Sequence, residues 1–401
     1  DSGNSFQTIS PLRACVKRVA STSKQQLLTV TTFSNSWRLW SSKNQETFTE
    51  LDKNTLFGKS AQFIEMKRLP EDRIWLLLGY ELNGDGKIDK NRIYETRDAG
   101  SSWRLKQEFD AANLGIDYDR ESYLIYVWDR GRSFYYRSND FGSSWIPKSV
   151  SFPIGRLVAA SHGLAFIFSG TEPDRYTTLY RSFDFGEKWQ AAGDINTPST
   201  ELSLVYSNRF GDLYRMDVKW NSTSQSYTFV RVQRSSDYGT NWDDILPEGG
   251  SWSNSFETLP NISFDNNGAM LLQTSNSIYF STDNGGSFQE IYTASTSDDF
   301  VQSIYASESG SIYAGMQNKS LLKTQKSFFK FNTRFIAGVE FPVGRTYGVQ
   351  WVDYNSDGLD DIYLVGQGSN SLYRNIGNGK LQKVTSGAIA TDIEPSRSAS
   401  W

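Results

Sequence analysis

Apolar and polar residues alternate in short runs along most of this chain. A clear example is Tyr123 to Trp128, then Arg132 to Ser138, then a polar knot around Asp140, then Trp145 to Ser149. Runs of this length, bounded by Gly, Asp and Ser, predict strands joined by tight turns. The continuous apolar run Ile74 to Leu78 predicts a buried strand. No helix is predicted.

The polar knots share one phrase, Ser/Thr-x-Asp-x-Gly-x-x-Trp/Phe. It occurs as Thr96, Asp98, Gly100, Trp103; as Ser138, Asp140, Gly142, Trp145; as Ser182, Asp184, Gly186, Trp189; as Ser235, Asp237, Gly239, Trp242; and as Ser281, Asp283, Gly285, Phe288. A short Asp accepts bonds from nearby amides, and Gly supplies the positive φ that closes a turn. The hydroxyl joins that knot, and the aromatic starts the return strand and packs inward. Tyr136-Arg137, Tyr180-Arg181 and Tyr279-Phe280, just before three of the knots, are strand-like, so each knot is expected to join two strands of one small sheet. Ser41, Lys43, Gln45 and Phe48 form a degenerate copy, and so do Thr324, Lys326, Phe328 and Phe331. The Asp positions then fall at 43, 98, 140, 184, 237, 283 and 326, with spacings of 42 to 55 residues. That period suits four-stranded propeller blades. The extra length between 184 and 237 falls in Leu213 to Arg231, with a polar turn at Asn221 to Ser226.

The phrase resembles the Asp-box, or BNR, repeat of sialidase-like β-propellers. The resemblance implies an all-β fold: a β-propeller of seven Asp-box-type four-stranded blades over residues 12–333. In that family the box is a structural turn on the outer part of each blade, so no box residue is expected to be catalytic. Asp1 to Phe6 matches the second half of a box, so residues 1–11 are expected to be an outer strand that closes the ring, or the remnant of a preceding repeat. After Phe335 the character changes. Tyr347 to Leu364 and Leu372 to Gly379 resemble an FG-GAP (VCBS-type) repeat. Residues 334–401 are therefore read as an FG-GAP unit, a possible eighth blade. Arg397 to Trp401 parallels Arg345 to Trp351, which suggests the first strand of a further repeat, in a longer natural protein or borrowed to finish a sheet.

Two loops have the spacing of a Ca²⁺ site. Asp353, Asn355, Asp357 and Asp361 stand at positions one, three, five and nine, with Gly358 at six and the Leu359 carbonyl at seven. Oxygens at alternate positions of a tight loop converge on one hard cation. Glu81, Asn83, Asp85, the Lys87 carbonyl and Asp89 repeat the spacing, but Asn-Gly and Asp-Gly are also ordinary hairpin turns. Both ions would stiffen loops rather than perform catalysis.

The net charge of −4 argues against a general nucleic-acid or membrane-surface binder, and no apolar run reaches the ~20 residues of a membrane span. Cys15 is the single cysteine, so no internal disulfide forms; its neighbours Ala14 and Val16 predict a buried thiol. His162 is the single histidine, which argues against a Ser-His-Asp triad or a His-rich zinc site. Asn221, Asn261 and Asn318 begin Asn-x-Ser/Thr sequons. Sialidases use three Arg, a Tyr with a Glu partner, an Asp, and a Phe/Tyr-Arg-Ile-Pro phrase near the start. The nearest stretch here is the rearranged Phe152-Pro153-Ile154-Gly155-Arg156, in a middle blade. Trp37, Trp40, Trp128, Trp220 and Trp252 lie outside the boxes and are candidates for stacking on a ligand. The expected function is a secreted or cell-surface, calcium-stabilised, non-catalytic binder of glycan or protein partners. A sialidase-like glycoside hydrolase and an assembly or sorting factor are the alternatives.

Overall fold

The computed structural model describes the chain apart from residues 1–5, 12–14, 34–35, 120–121, 161–162, 173, 199–200, 209, 224–225, 246–258, 265–268, 275, 295–299, 308–310, 318–319, 325–345, 353, 356–360, 367–369, 376–380 and 388–401. It falls into two compact units, Asp1–Phe329 and Lys330–Trp401. The expected junction at 333–334 lies outside the described residues.

In the first unit β1 (Phe6–Pro11) precedes a sheet of β2 (Cys15–Ser21), β3 (Leu27–Phe33), β4 (Ser36–Ser42) and β5 (Thr49–Leu51). The helix α1 (Lys53–Phe57) leads to a second sheet of β6 (Ala61–Arg68), β7 (Ile74–Tyr80), β8 (Lys90–Thr96) and β9 (Arg104–Phe109). β10 (Leu114–Asp119), β11 (Leu124–Asp129), β12 (Arg132–Ser138), β13 (Ile146–Ala159), β14 (Ala165–Ser169), β15 (Thr178–Ser182) and β16 (Gln190–Asp194) make one continuous sheet. The long β13 pairs with β12 through its first half and with β14 through its second, so it serves two meanders. β17 (Glu201–Ser207), β18 (Leu213–Asn221), β19 (Ser226–Ser235) and β20 (Asp243–Asp244) form the next sheet. β21 (Asn261–Phe264), β22 (Met270–Gln273), β23 (Ser277–Ser281) and β24 (Gln289–Thr293) follow. The last sheet has β25 (Val301–Ala306), β26 (Ile312–Met316) and β27 (Ser320–Thr324), and its fourth strand is β1, antiparallel to β27 with Thr8 opposite Leu322.

Successive antiparallel meanders of this kind, closed by a strand from the other end, are the architecture of a β-propeller. Apolar clusters lie between each sheet and the next. Leu28 and Leu39 meet Leu76 and Leu78 between the first two sheets. Val16 and Leu27 meet Tyr313 and Leu321 between the last and the first. Each fully buried Leu contributes roughly 1.5–3 kcal/mol, so the core is a ring of such interfaces.

The repeated turns join the third strand of a meander to its fourth. In each, the Ser/Thr hydroxyl donates to Asp Oδ1 and accepts the Gly amide: 2.8 and 2.7 Å at Ser138, 2.9 and 2.8 Å at Ser235. The residue between Asp and Gly is left-handed, with φ of 52° at Ala99, 61° at Phe185, 60° at Tyr238 and 59° at Asn284. That twist presents its carbonyl to the preceding meander. Ser41 donates to the Ala99 carbonyl at 2.6 Å, Arg137 to Phe185 at 2.6 Å, Arg181 to Tyr238 at 3.4 Å, and Tyr214 to Asn284 at 3.5 Å. At Phe141 the Arg73 guanidinium lies 4.0 Å from the ring centre instead. The degenerate turn of the first sheet is served from the last: the side-chain oxygen of left-handed Gln45 (φ 63°) accepts from Tyr313 at 3.3 Å and Lys323 at 2.7 Å.

The helix α1 departs from expectation. Asp52 caps it, accepting the Asn54 and Thr55 amides at 3.1 and 3.4 Å. This single turn is too short for a helical period, so only the cap marks it. It seats Phe57 between Trp37 and Trp103. Cys15 is half-buried rather than buried.

In the second unit β28 (Thr346–Val352), β29 (Asp361–Gly366), β30 (Ser371–Asn375) and β31 (Leu381–Lys383) pair in chain order, all antiparallel. Ile362, Leu364 and Tyr373 cluster together, and Tyr363 and Leu372 form a second cluster with Tyr354 and Val384.

Two predictions follow from the turns. Gly239 has φ +87°, and an added Cβ would stand 2.1 Å from Leu179 of the preceding meander. Gly239→Ala is expected to destabilise the first unit by more than ~1 kcal/mol in urea unfolding, and an unchanged midpoint would sink the seating argument. The Asn241 amide and side chain hold the Asp237 carboxyl down at about 2, and Ser287 does the same for Asp283. At Asp140 burial acts the other way, but the Ser144 bonds prevail and the carboxyl again titrates at about 2. Since the folded pKa lies below the unfolded ~3.9, this stabilisation is complete above pH ~4 and is lost as pH falls toward 2. A variant with all three changed to Asn should show a flatter acid limb of stability against pH than the parent.

Candidate functional site: the axial cavity

The innermost strands, β2, β6, β10, the second half of β13, β17, β21 and β25, surround a cavity of about 320 Å³. A volume near 300 Å³ is at the small end of ligand pockets. Its wall carries side chains that are unusual within apolar strands: Arg18, Glu65, Lys67, Asp117, Arg156 and Asn261.

Both carboxylates are compensated. Arg18 Nε donates to Glu65 Oε1 at 2.9 Å, and the Met66 amide donates to the same oxygen at 3.1 Å. Burial alone would raise Glu65, but Arg18 and Lys67 bring it down to about 2. Lys67 Nζ lies 3.3 Å from Asp117 Oδ1, and Asp117 Oδ2 accepts the Ala159 amide at 3.1 Å. Arg68 is also engaged, with the Ser21 carbonyl at 2.8 Å and Asp72 at 3.0 Å. These contacts tie neighbouring sheets together at the axis.

Arg156 is different. It is half-buried and lines the cavity, yet among the described residues its buried Nε has no partner and no ion pair reaches it. The Trp128 ring centre is 5.8 Å from its guanidinium carbon. Burial opposes its charge, but Asp117 prevails at a distance, so the group stays cationic. Arg130 also has a buried Nε without a partner, and burial and then Arg156 push its pKa down. A half-buried Arg156 with no direct partner among the described residues leaves the cavity wall able to take an incoming anion. Burial pushes the Tyr206 hydroxyl up to about 12 against the pull of Arg156, so it stays protonated.

The tryptophan candidates divide. Trp37 and Trp128 correct the expectation, because both are core residues. Trp37 is 6% exposed, and its Nε1 donates to the Ala61 carbonyl at 2.8 Å. Trp128 is fully buried and lies over Gly115, where a Cβ would come within 2.2 Å of the ring. Trp37 fills the space between the first two sheets, and Trp128 the space between the two meanders that share β13. Trp40 is half-buried and donates to Thr31 at 2.9 Å. Trp220 is 41% exposed, with Tyr227 at 4.7 Å between ring centres. Trp252 and His162 lie outside the described residues.

The loop at 353–361 is described only in part, since Asp353, Asp357 and Leu359 lie outside the described residues. Asn355 is half-buried in a bend. Asp361 is fully buried, and its two oxygens accept the Tyr354 and Asn375 amides at 3.1 and 2.7 Å. Among the described residues each of those oxygens accepts one hydrogen bond. In the other loop the oxygens face the loop's own donors. Asp89 accepts the Leu82 amide and the Asn83 side chain at 2.6 Å each, Glu81 accepts Gly86 at 2.8 Å, and Asp85 accepts Lys87 at 3.0 Å. Among the described residues no three His, Cys, Asp or Glu side chains gather to hold a metal.

Sequence reasoning set Arg156 aside as part of a rearranged phrase. A signal was present, since a lone Arg interrupts the apolar run Ile154 to Ala160.

Residues 353–401 match the family of FG-GAP-like repeats. No curated protein matches the chain in sequence. Among solved structures, YCF48 bound to D1 peptide is 14% identical over 81% of this chain and 95% of its own, with a TM-score of 0.54. An inactive variant of virginiamycin B lyase from Staphylococcus aureus, solved with quinupristin, is 12% identical over 80% of this chain and 99% of its own, at 0.55. The extracellular domain of BT3049 from B. thetaiotaomicron is 11% identical and covers 94% of this chain with 48% of its own length, at 0.52. At these identities the likeness is one of fold: this chain is similar to all three as a β-propeller, and its C-terminal part is similar to FG-GAP-like repeats.

Proposed function

We propose that this chain is a non-catalytic binding protein: seven four-stranded blades with Asp-box-type turns, an FG-GAP-like repeat after them, and a working place outside the cell or on its surface. The observation that carries the reading is Arg156, a cavity-lining cation without an ion pair among the described residues, in a wall whose carboxylates are already matched. Such a wall can recognise an acidic group on a glycan or protein partner. It does not offer a poised nucleophile at Tyr206, whose hydroxyl is pushed up to about 12. YCF48 was solved with a peptide, and the BT3049 domain is extracellular, which supports a binding role and such a location.

The hydrolase alternative would use the same cavity, where Arg18, Arg68 and Arg156 all reach the wall. Arg18 and Arg68 are committed to Glu65 and Asp72, which leaves Arg156 as the cation to meet substrate. The test is a glycan array read beside fluorogenic glycosides. The parent should bind acidic glycans, and Arg156→Met should weaken that binding at least tenfold, about 1.4 kcal/mol, with no turnover by either protein. Hydrolysis by the parent would refute the non-catalytic reading. Binding that survives Arg156→Met would remove the cavity from it.

The proposal includes Ca²⁺ at Asp353, Asn355, Asp357, the Leu359 carbonyl and Asp361, and a second ion at Glu81, Asn83, Asp85, the Lys87 carbonyl and Asp89. A hard cation held by oxygens would fix each loop and take no part in chemistry. At a hundred times its dissociation constant it would add ~2.7 kcal/mol to stability. Ca²⁺ should therefore raise the melting temperature over that in chelator, and Asp353→Ala should abolish the gain from the first site. An equal loss in chelator would count against the metal.

A further inference from the structure

The hairpin of β18 and β19 runs past its neighbours. A register shift falls between Asp217 and Val218, and beyond it Lys219, Trp220 and Asn221 are exposed. The tip carries Asn221, Ser222 and Thr223, all exposed, and the Thr223 amide donates to Asn221 Oδ1 at 2.9 Å. That bond holds the carboxamide by its oxygen with Thr223 folded back beside it. Directly behind the tip stand two aromatic rings, Trp220 at 41% exposure and Tyr227, 4.7 Å apart and inclined by 59°. An indole so exposed at the end of a projecting hairpin has no core to serve.

We propose that Asn221 is an N-glycosylation site. The structure separates the sequons. Asn261 lies on β21 opposite Gln273 and lines the axial cavity, and a branched oligosaccharide does not fit about 320 Å³. Asn318 lies outside the described residues. Asn221 stands exposed at the hairpin tip. In the transfer, Asn221 Nδ2 forms a bond to C1 of the first sugar of a lipid-pyrophosphate-linked oligosaccharide. The bond from C1 to the pyrophosphate oxygen breaks, the lipid pyrophosphate leaves, and Nδ2 gives up one proton.

This inference rests on the extracellular reading, and the test keeps the two apart. The full chain is expressed behind a heterologous leader in a eukaryotic cell, so the route is imposed and the outcome depends on the site alone. The secreted protein is treated with peptide N-glycosidase in ¹⁸O water, and the peptides are weighed. Asn221 should be labelled and Asn261 unlabelled, and Asn221→Gln or Thr223→Ala should remove the Asn221 glycan. An unlabelled Asn221 in folded, secreted parent would overturn the site, as would a labelled Asn261. Where the natural protein resides is decided separately, by fractionating its source.

Discussion

The first unit depends on one backbone conformation, the left-handed residue between Asp and Gly of each repeated turn. In an ordinary hairpin a bulky residue avoids that region. Here Phe185 and Tyr238 accept it, because it aims a carbonyl at the meander before. The Asp and hydroxyl of each turn hold the twist in place by satisfying the amides that the turn would otherwise leave bare. The apolar clusters supply most of the stabilisation, but they are greasy faces that could slide. The polar contact from turn to preceding meander fixes the angle at which the faces meet.

The axis works by a related logic with charges. Arg18 with Glu65, and Lys67 with Asp117, join adjacent inner strands. Such pairs, partly withdrawn from water, add little net stability, because desolvation offsets attraction. What they do supply is order in the wall, since each carboxylate has its cation and each cation its direction. Arg156 stands out only against that regular background, which is why it is informative.

Much of the architecture was legible because turn chemistry is local. The Ser-x-Asp-x-Gly phrase names its own hydrogen bonds, and the structure forms them at Ser138, Ser182, Ser235 and Ser281. The helix α1 was not legible, because one turn has no period and Asp52 looks like any loop Asp. The fate of the tryptophans was not legible either. Trp128 and Trp220 both sit near strand ends, and only the fold decides that Gly115 makes room for the first while the second lies beyond the sheet's edge. The wall of the cavity was the least visible part. It takes single residues from strands hundreds of positions apart, and no phrase marks them.

The pairing of β1 with β27 also bears on how the chain reaches its fold. Thr8 and Leu322 stand at opposite ends of the unit in sequence, yet they are partners in one ladder. Closing so long a loop adds little to the equilibrium cost, since each doubling of length adds only ~0.6 kcal/mol. The kinetic effect is larger, because pairings this distant in sequence form late. Most of the meanders can assemble from neighbours as the chain emerges, but the last sheet holds an open edge at β27 until β1 returns. During that interval the edge can accept a strand from another molecule, so the folding chain is most exposed to strand exchange just before the ring shuts.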